Sequence, residues 1–175
     1  MNQIATFEKV SLNQYIKDRL STIDLEKEEL SMTDFLLLAT KEWEALELPK
    51  RGTSLSAGYD FHIPYEIAVG ANSVLIPTGV RCQIDEGWAL FLYPRSGLGT
   101  KFGMGLENTT GIVDADYYFA ANEGHIMAKL YTRNKIASLK QGDRFMQGIF
   151  LPIGSATNGN TEKERTGGFG STGTK

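Results

Sequence analysis

The spacing of turn-forming residues after Pro49 constrains the fold of this chain more than any other feature. Beyond that point Gly, Pro, Asn and Asp recur every eight to twelve residues between short apolar or alternating runs, which is typical of all-β proteins. Residues 80–84 alternate, 88–94 are apolar on both faces, and further runs follow at 125–132 and 144–153. We therefore predict a mainly β fold, a jelly-roll-like distorted β-barrel.

The stretch 11–48 has the pattern of helices instead. Three tetrapeptides in it resemble helix N-caps: SLNQ at 11–14, STID at 21–24 and SMTD at 31–34,. Apolar residues repeat at helical spacing on one face of each of two helices: Leu12, Tyr15, Ile16 and Leu20, then Phe35, Leu38, Ala39, Glu42 or Trp43, and Leu46. We predict two amphipathic helices with a charged link, inserted after an opening strand at 4–10.

Composition narrows the classes of function. A length of 175 residues suits a single domain, 1–175, and a net charge of −3 gives no electrostatic reason to bind polymeric nucleic acid,. The lone Cys82 cannot form an internal disulfide and no signal-like segment opens the chain, so we expect a cytoplasmic protein. The apolar run at 35–39 is too short to span a membrane,. His62 and His125 stand apart, and we interpret each as a solvated or core histidine rather than a zinc ligand.

Five short stretches interrupt the strand pattern. They are SAGYDF at 56–61, PRSGLGTK at 94–101, ENTTGIVDADYYF at 107–119, GDRFMQ at 142–147 and the glycine-rich RTGGFGSTGTK at 165–175. In the second stretch, Arg95 and Ser96 beside two glycines offer a cationic fork, a hydroxyl and approachable N–H groups, which suit a phosphate. An ordinary turn explains the same residues equally simply.

The third and fifth stretches each allow a chemical and a structural interpretation. Asp114 and Asp116 flank one small residue at a predicted hairpin tip, where they could hold a cation, activate a water or shape the turn. In the fifth stretch, Phe169 among glycines offers a flat face for a base, beside hydroxyl and Arg donors for phosphates. An untethered tail is the other interpretation.

Taken in order, the five stretches resemble the five motifs of the trimeric deoxyuridine triphosphatases (dUTPases), over roughly residues 48 to 173. The resemblance implies a jelly-roll subunit and a homotrimer with three active sites, each built from all three chains. It implies dUTP as the substrate, hydrolysed to dUMP and pyrophosphate, which limits uracil in DNA and supplies dUMP for dTTP synthesis. It also implies Mg²⁺ as the cofactor, held by triphosphate oxygens and waters rather than by a protein cage.

The resemblance further implies roles for individual residues. Asp114 would activate the water that attacks the α-phosphorus, and Tyr117 would lie against the deoxyribose. Asn108 and hairpin backbone groups such as that of Gly111 would bind the uracil, which Phe169 would then cover. The remaining positions concern the phosphates: Arg95, Ser96, Gly97 and Gln147 as ligands, Asp60 and Asp143 as supports behind them, and Arg165, Gly170, Ser171 and Thr172 in the arm formed by 165–175.

Three departures from the family pattern stand out. The segment after Tyr117, YFAANEGHI at 118–126, is longer than usual, so we expect a lengthened or bulged strand to leave the predicted hairpin. The spacing from Arg165 to Phe169 is one residue shorter than is common, and the helical stretch 11–48 has no counterpart in minimal members of the family.

Two other functions stay open at this stage. A dCTP deaminase, or a bifunctional relative, shares the fold but needs a catalytic Glu on the strand after the third motif, where this chain has Ala128 and Lys129,. A regulatory protein could keep the nucleotide site and dock a protein partner on 11–48. Against that interpretation, apolar helix faces usually pack on their own protein.

Overall fold

The computed structural model describes residues 2–159, and within them antiparallel strands dominate. The strands are β1 (Ala5–Lys9), β2 (Lys50–Arg51), β3 (Tyr59–His62), β4 (Ile67–Val69), β5 (Val74–Pro77), β6 (Val80–Ile84), β7 (Trp88–Pro94), β8 (Met104–Leu106), β9 (Gly111–Val113), β10 (Met127–Thr132), β11 (Ala137–Leu139) and β12 (Arg144–Pro152). The helices are α1 (Leu12–Leu20), α2 (Met32–Glu44) and α3 (Ser96–Phe102), with a 3₁₀ turn at Ala115–Phe119. The prediction of a mainly β fold is confirmed.

The strands form one large sheet and several small ones. The large sheet has the order β2-β3-β12-β7-β9, and the others are β5-β10-β8, β1-β6 and β11-β4. Strand β7 buries Ala89, Leu90 and Leu92, and β12 lies beside it near the centre of the large sheet, so an apolar sequence suits both. The alternation in β6 places Val80, Cys82 and Ile84 inside, as expected for a half-buried strand.

The core between the sheets is made of large apolar side chains. Phe61, Ile76, Leu90, Leu130 and Phe145 are among its fully buried members. Burial of this kind is the main favourable term in folding, worth roughly 1.5–3 kcal/mol for each large side chain. The same burial raises the pKa of the Cys82 thiol to about 12, so this cysteine stays protonated near neutral pH.

The two helices predicted in 11–48 are confirmed, and so is the strand before them, because β1 pairs with β6. Ser11 and Ser31 are the N-caps of α1 and α2, and each hydroxyl accepts a hydrogen bond from a backbone N–H three residues on,. The prediction of an N-cap at Ser21 is wrong. Ser21 is instead the C-cap of α1, and its hydroxyl donates back to the carbonyl of Asp18.

Helices α1 and α2 pack against each other through a second, smaller core. Its fully buried residues are Val10, Tyr15, Phe35 and Ala39, with Ile16, Leu20, Trp43 and Leu46 packed against them. Leu38, predicted on the same face, is 38% exposed because it lies at the edge of that face. No helix among residues 2–159 is long and apolar enough to cross a membrane.

A buried ion pair fastens the two helices together. Arg19 Nε lies 3.1 Å from Glu42 Oε2, the hydroxyl of Tyr15 donates to the same carboxylate oxygen at 3.0 Å, and the Arg19 guanidinium lies over the Tyr65 ring. Burial raises the pKa of Glu42 despite the nearby Arg19. Such a pair fixes geometry, because breaking it would leave an uncompensated buried charge.

Candidate active site

Strand β12 brings three of the five sequence stretches together. Gln147 lies opposite Asp60 of β3 on one side and opposite Tyr93 of β7 on the other. The residues just beyond Tyr93 then enter α3, so Arg95 and Ser96 reach the same end of the sheet. The result is an open cleft of about 360 Å³ whose lining includes Asp60, Arg95, Ser96, Arg144 and Gln147; we call it the cationic cleft.

Two guanidinium groups share one carboxylate in the cationic cleft. Asp60 Oδ1 lies 3.2 Å from Arg95 Nε, and Asp60 Oδ2 lies 3.2 Å from Arg144 Nη1. The Asp60 side chain is 12% exposed, whereas those of Arg95 and Arg144 are 35% and 49% exposed. Asp60 therefore orients two cations and leaves a net positive charge with further N–H donors facing solvent, which suits an anion with several oxygens.

A bulge in β12 turns Arg144 toward the cleft. The register between β12 and β3 shifts between Arg144 and Met146, and Phe145 and Met146 are both fully buried. Since two consecutive side chains point inward, Arg144 and Gln147 on either side of them face the same outer surface. The sequence analysis missed Arg144, although it lies inside the GDRFMQ stretch between two residues that were selected.

Glycine at position 58 makes room for Gln147. A Cβ atom added at Gly58 would lie 2.6 Å from Gln147 Oε1, closer than side-chain atoms tolerate. On the other side of the cleft, α3 begins at Ser96 with Arg95 as its N-cap, and the Arg95 N–H donates to the carbonyl of Phe145. The backbone N–H groups of Ser96 and Gly97 belong to the first turn, where no intrahelical acceptor is available.

The loop between β8 and β9, which pair with β10 and β7 rather than with each other, carries the residues predicted to bind uracil. Asn108 is exposed in its turn, Thr109 has a positive φ of 66°, and the Thr109 N–H donates to the carbonyl of Leu106. Gly111 starts β9 opposite Leu92, where an added Cβ would lie 3.1 Å from two atoms of that leucine. Strand β9 therefore lies tightly on β7, and the β8–β9 loop presents Asn108 to solvent.

Asp114 follows β9 directly and precedes the 3₁₀ turn. The predicted hairpin tip at Asp114 and Asp116 is wrong, because no described strand returns from this turn to pair with β9. The expected lengthened or bulged strand at 118–126 is also wrong, since β10 begins only at Met127.

The Asp114 side chain is exposed, and the Asp114 carbonyl accepts a hydrogen bond from the Tyr117 N–H at 3.1 Å, at the start of the 3₁₀ turn. Tyr117 itself is 5% exposed. Its hydroxyl donates to the carbonyl of His125 at 2.8 Å and accepts from Asn122 Nδ2 at 2.9 Å. Tyr117 is thus held tightly behind Asp114.

Asp114 and the cationic cleft lie at opposite ends of the same strand pair. Val113 lies opposite Leu90 and Gly111 opposite Leu92, so Asp114 is next to Ala89. Arg95 is six residues farther along the chain than Ala89, a separation of about 20 Å at the rise of an extended strand. One chain therefore does not bring Asp114 to the cleft.

Asp143 lies outside the cationic cleft. The Asp143 carboxylate accepts from the Lys140 N–H at 2.8 Å, and its carbonyl accepts from the Ile63 N–H, so it shapes the turn before β12 and supports the cleft only indirectly. The predicted arm residues lie outside the described part of the chain: Arg165, Phe169, Gly170, Ser171 and Thr172.

Comparison with known proteins identifies the family. The dUTPase family model matches residues 44–173. The chain belongs to the dUTPase family. As a member of this family it is a hydrolase of nucleotide metabolism. Most of the helical stretch 11–48 lies before the first matched residue.

Individual relatives support the same assignment. The deoxyuridine 5'-triphosphate nucleotidohydrolase of Lactococcus lactis subsp. lactis (strain IL1403) is 37% identical over 134 residues, covering 73% of this chain and 89% of the relative. That of Haemophilus ducreyi (strain 35000HP / ATCC 700724) is 35% identical over 150 residues, covering 80% and 95%. The crystal structure of the dUTPase from Streptococcus mutans superposes with a TM-score of 0.60 at 31% identity, covering 86% of this chain and 97% of that one.

Proposed function

We propose that this chain hydrolyses dUTP to dUMP and pyrophosphate at a site assembled from three copies of the whole 175-residue chain. The observation that carries the proposal is the division of the site residues. The cationic cleft gathers Asp60, Arg95 and Arg144 in one chain, while Asp114 lies about 20 Å away on the same sheet. A second copy supplies the missing carboxylate in a closed symmetric assembly, which the dUTPase relatives support.

The cationic cleft binds the triphosphate. Arg95 and Arg144, oriented by Asp60, donate paired N–H groups to phosphate oxygens, as guanidinium forks do,. Ser96, Gly97 and Gln147 add neutral donors from the start of α3 and from β12. These contacts hold the phosphate chain so that its α-phosphorus meets the water in line, which is the largest contribution a protein makes to phosphoryl transfer.

Asp114 of a second copy activates the water. Its exposed carboxylate accepts a proton from the water as the new O–P bond forms at the α-phosphorus,. The bond from that phosphorus to the bridging oxygen breaks, and pyrophosphate leaves. The products are dUMP and pyrophosphate, and the carboxylate then releases its proton to solvent.

The β8–β9 loop and the residues that follow it select the base and the sugar. Asn108 in the exposed loop and the backbone at Gly111 hydrogen-bond the uracil edge, and a tight loop leaves no room for a 5-methyl group. Tyr117 lies beside the deoxyribose and excludes a 2′-hydroxyl. A site of this kind rejects a misfit group through sterics and lost hydrogen bonds.

The glycine-rich arm of the third copy completes the site. Its sequence supplies Arg165, Gly170, Ser171 and Thr172 for the distal phosphates and Phe169 to cover the uracil. A Gly-rich segment loses much conformational entropy on ordering, so the arm is proposed to close once the nucleotide supplies compensating contacts.

Mg²⁺ is the proposed cofactor. Triphosphate oxygens and waters, the ligands that Mg²⁺ prefers, would hold the ion at the cationic cleft. When bound, it neutralises charge on the phosphates and fixes their geometry for in-line attack.

Neither competing function, dCTP deaminase or a regulatory protein with a partner on 11–48, gains support from the structure. Ala128 is buried and Lys129 exposed on β10, so neither position offers the carboxylate of a deaminase. The packing of α1 and α2 on their own chain favours a structural role for 11–48 over the docking of a protein partner.

The test is pyrophosphate release from dUTP, dCTP, dTTP and UTP, each with Mg²⁺ and with chelator in its place. We expect rapid release from dUTP with Mg²⁺ and slow release from the other three nucleotides. Ammonia release from dCTP would support the deaminase instead, and equal rates on all four nucleotides would contradict the proposed selectivity.

A further inference from the structure

The helical stretch 11–48 and the long segment 118–126 contact each other directly. Ser11, the N-cap of α1, donates from its N–H to Glu123 Oε2 at 2.8 Å and from its hydroxyl to Glu123 Oε1 at 2.6 Å. Glu123 has a φ of 58°, a conformation that costs a side-chain-bearing residue about 1 kcal/mol or more. The two hydrogen bonds from Ser11 hold it there.

A buried contact joins the same two segments about two turns farther along α1. Asp18 Oδ2 lies 2.6 Å from Nδ1 of His125, whose side chain is fully buried, and it also accepts from Gln14 Nε2. His125 Nε2 accepts a hydrogen bond from the Gly79 N–H at 2.7 Å, so that nitrogen carries no proton. His125 is therefore a neutral imidazole that donates from Nδ1 to Asp18.

Hydrogen bonding outweighs burial at Asp18. Burial alone would raise its pKa, but the hydrogen bonds from His125 and Gln14 hold the pKa below the ordinary value of an aspartate. The carboxylate is therefore ionised near neutral pH, and its charge strengthens the hydrogen bond from the imidazole.

The backbone of His125 continues this chain of contacts to Tyr117. The Tyr117 hydroxyl donates to the carbonyl of His125, and Asn122 Nδ2 lies within hydrogen-bond distance of both oxygens, at 2.9 and 3.3 Å. At Gly124 an added Cβ would lie 2.7 Å from Cα of Tyr118, so the segment lies flat on the 3₁₀ turn. Tyr117 cannot shift without moving His125.

We propose that α1 positions Tyr117 through Asp18 and His125. We further propose that this chain of hydrogen bonds sets the preference of the site for a deoxyribose over a ribose sugar. The inference rests on the proposed role of Tyr117 in sugar selection. It makes Asp18 and His125 positioning residues, since neither reaches the substrate. It also gives two departures from the family pattern, the helical stretch 11–48 and the longer segment 118–126, one shared role, because each holds the other in place.

The test compares the ratio of kcat/KM for dUTP to that for UTP in matched variants. Asp18→Ala removes the carboxylate, Asp18→Asn retains an acceptor for the imidazole, and Glu26→Ala removes an exposed carboxylate from the same helical stretch. We expect Asp18→Ala to lower the ratio about three- to tenfold, the effect of losing one positioned hydrogen bond. Asp18→Asn should keep most of the wild-type ratio, and Glu26→Ala should leave the ratio unchanged.

A second variant acts closer to Tyr117 without disturbing the helices. Asn122→Ala removes the amide that contacts the Tyr117 hydroxyl at a half-buried position, so it keeps the test valid even if Asp18→Ala fails to fold. The ratio should fall in Asn122→Ala too.

A double variant, Asp18→Ala/Tyr117→Phe, tests whether the two residues act together. On a free-energy scale, its loss in the dUTP-to-UTP ratio should be smaller than the sum of the losses in the two single variants, because both substitutions act through one chain of contacts.

The outcomes separate this inference from the proposed function. A wild-type chain that prefers dUTP over UTP, with folded Asp18→Ala and Asn122→Ala variants that keep the wild-type ratio, would overturn the inference alone. A wild-type chain that does not hydrolyse dUTP would overturn the proposed function and the inference together. A fall in stability without a change in the ratio would show that the contacts serve folding only, and would also overturn the inference.

Discussion

Asp114 and Arg95 lie at opposite ends of the β7–β9 pairing, about 20 Å apart in one chain,. Each sits on a rigid strand end, so a loop movement does not bring them together. In the proposed site, phosphate binding and water activation are therefore separated within one subunit and meet only between subunits. On this proposal, assembly of copies is a condition of activity.

The first prediction concerns the proposed general base. Asp114→Asn preserves the size of the side chain but cannot accept the proton of the water, so kcat should fall by about 10²–10⁴-fold while dUTP still binds. Pyrophosphate release measures kcat, and calorimetric titration measures binding. Glu28→Gln, an exposed carboxylate in the link between α1 and α2, is the control. Unchanged turnover in Asp114→Asn would remove this residue from its role.

Arg144 provides a test of the cationic cleft that the sequence did not suggest. Arg144→Ala should raise KM for dUTP roughly ten- to hundredfold, since a charged hydrogen bond to phosphate is lost. The KM of Arg144→Lys for dUTP should lie between those of the wild type and Arg144→Ala, because an ammonium keeps the charge but lacks the planar fork of the guanidinium. Arg133→Ala, at an exposed arginine outside the cleft, should behave as wild type. A wild-type KM in Arg144→Ala would exclude Arg144 from phosphate binding.

Gly58 tests whether the position of Gln147 matters. The Cβ of Gly58→Ala would meet Gln147 Oε1 at 2.6 Å, and this flexible side chain would turn away rather than unfold the protein. We expect lower kcat/KM for dUTP at an unchanged melting temperature. Gly154→Ala is the matched control, because an added Cβ there meets no atom within 4 Å. Equal activity in the two variants would show that Gln147 is dispensable.

Deletion of the arm tests the contribution of the third copy. Without 165–175, the site loses the proposed distal phosphate ligands and the cover over the uracil, so activity should be abolished while the oligomer persists. Light scattering measures the oligomer, and pyrophosphate release measures the activity. Deletion of 174–175 alone should have little effect. A fully active truncation at 165 would contradict the role of the arm.

The sequence predicted much of the fold because the relevant signals are local. Turn residues and alternation marked β6 and β7, and Ser11 and Ser31 marked two helix starts. Ser21 was wrongly predicted as an N-cap because a serine hydroxyl can hydrogen-bond backbone groups on either side of it. At the end of α1 the Ser21 hydroxyl donates to the carbonyl of Asp18, three residues earlier. The local pattern alone does not distinguish the start of a helix from its end.

The site was predictable only where a family motif marked it. Arg144 reaches the cleft through a bulge in β12, and bulges depend on pairing that the sequence does not state. Asp18 and His125 are 107 positions apart along the chain, so no spacing rule connects them. Interpreting His125 as a core histidine was correct, but its partner came only from the packing of α1 against the longer segment.

The most direct measurement of the shared site combines two inactive chains. Asp114→Asn and Arg95→Ala subunits, carrying different tags, are unfolded, mixed and refolded, and mixed oligomers are isolated through both tags. If Asp114 and Arg95 act from different copies, about a third of the sites in each mixed trimer are intact. Pyrophosphate release from dUTP should then return to a comparable fraction of the wild-type rate. Mixed trimers as inactive as either parent would contradict a site shared between subunits.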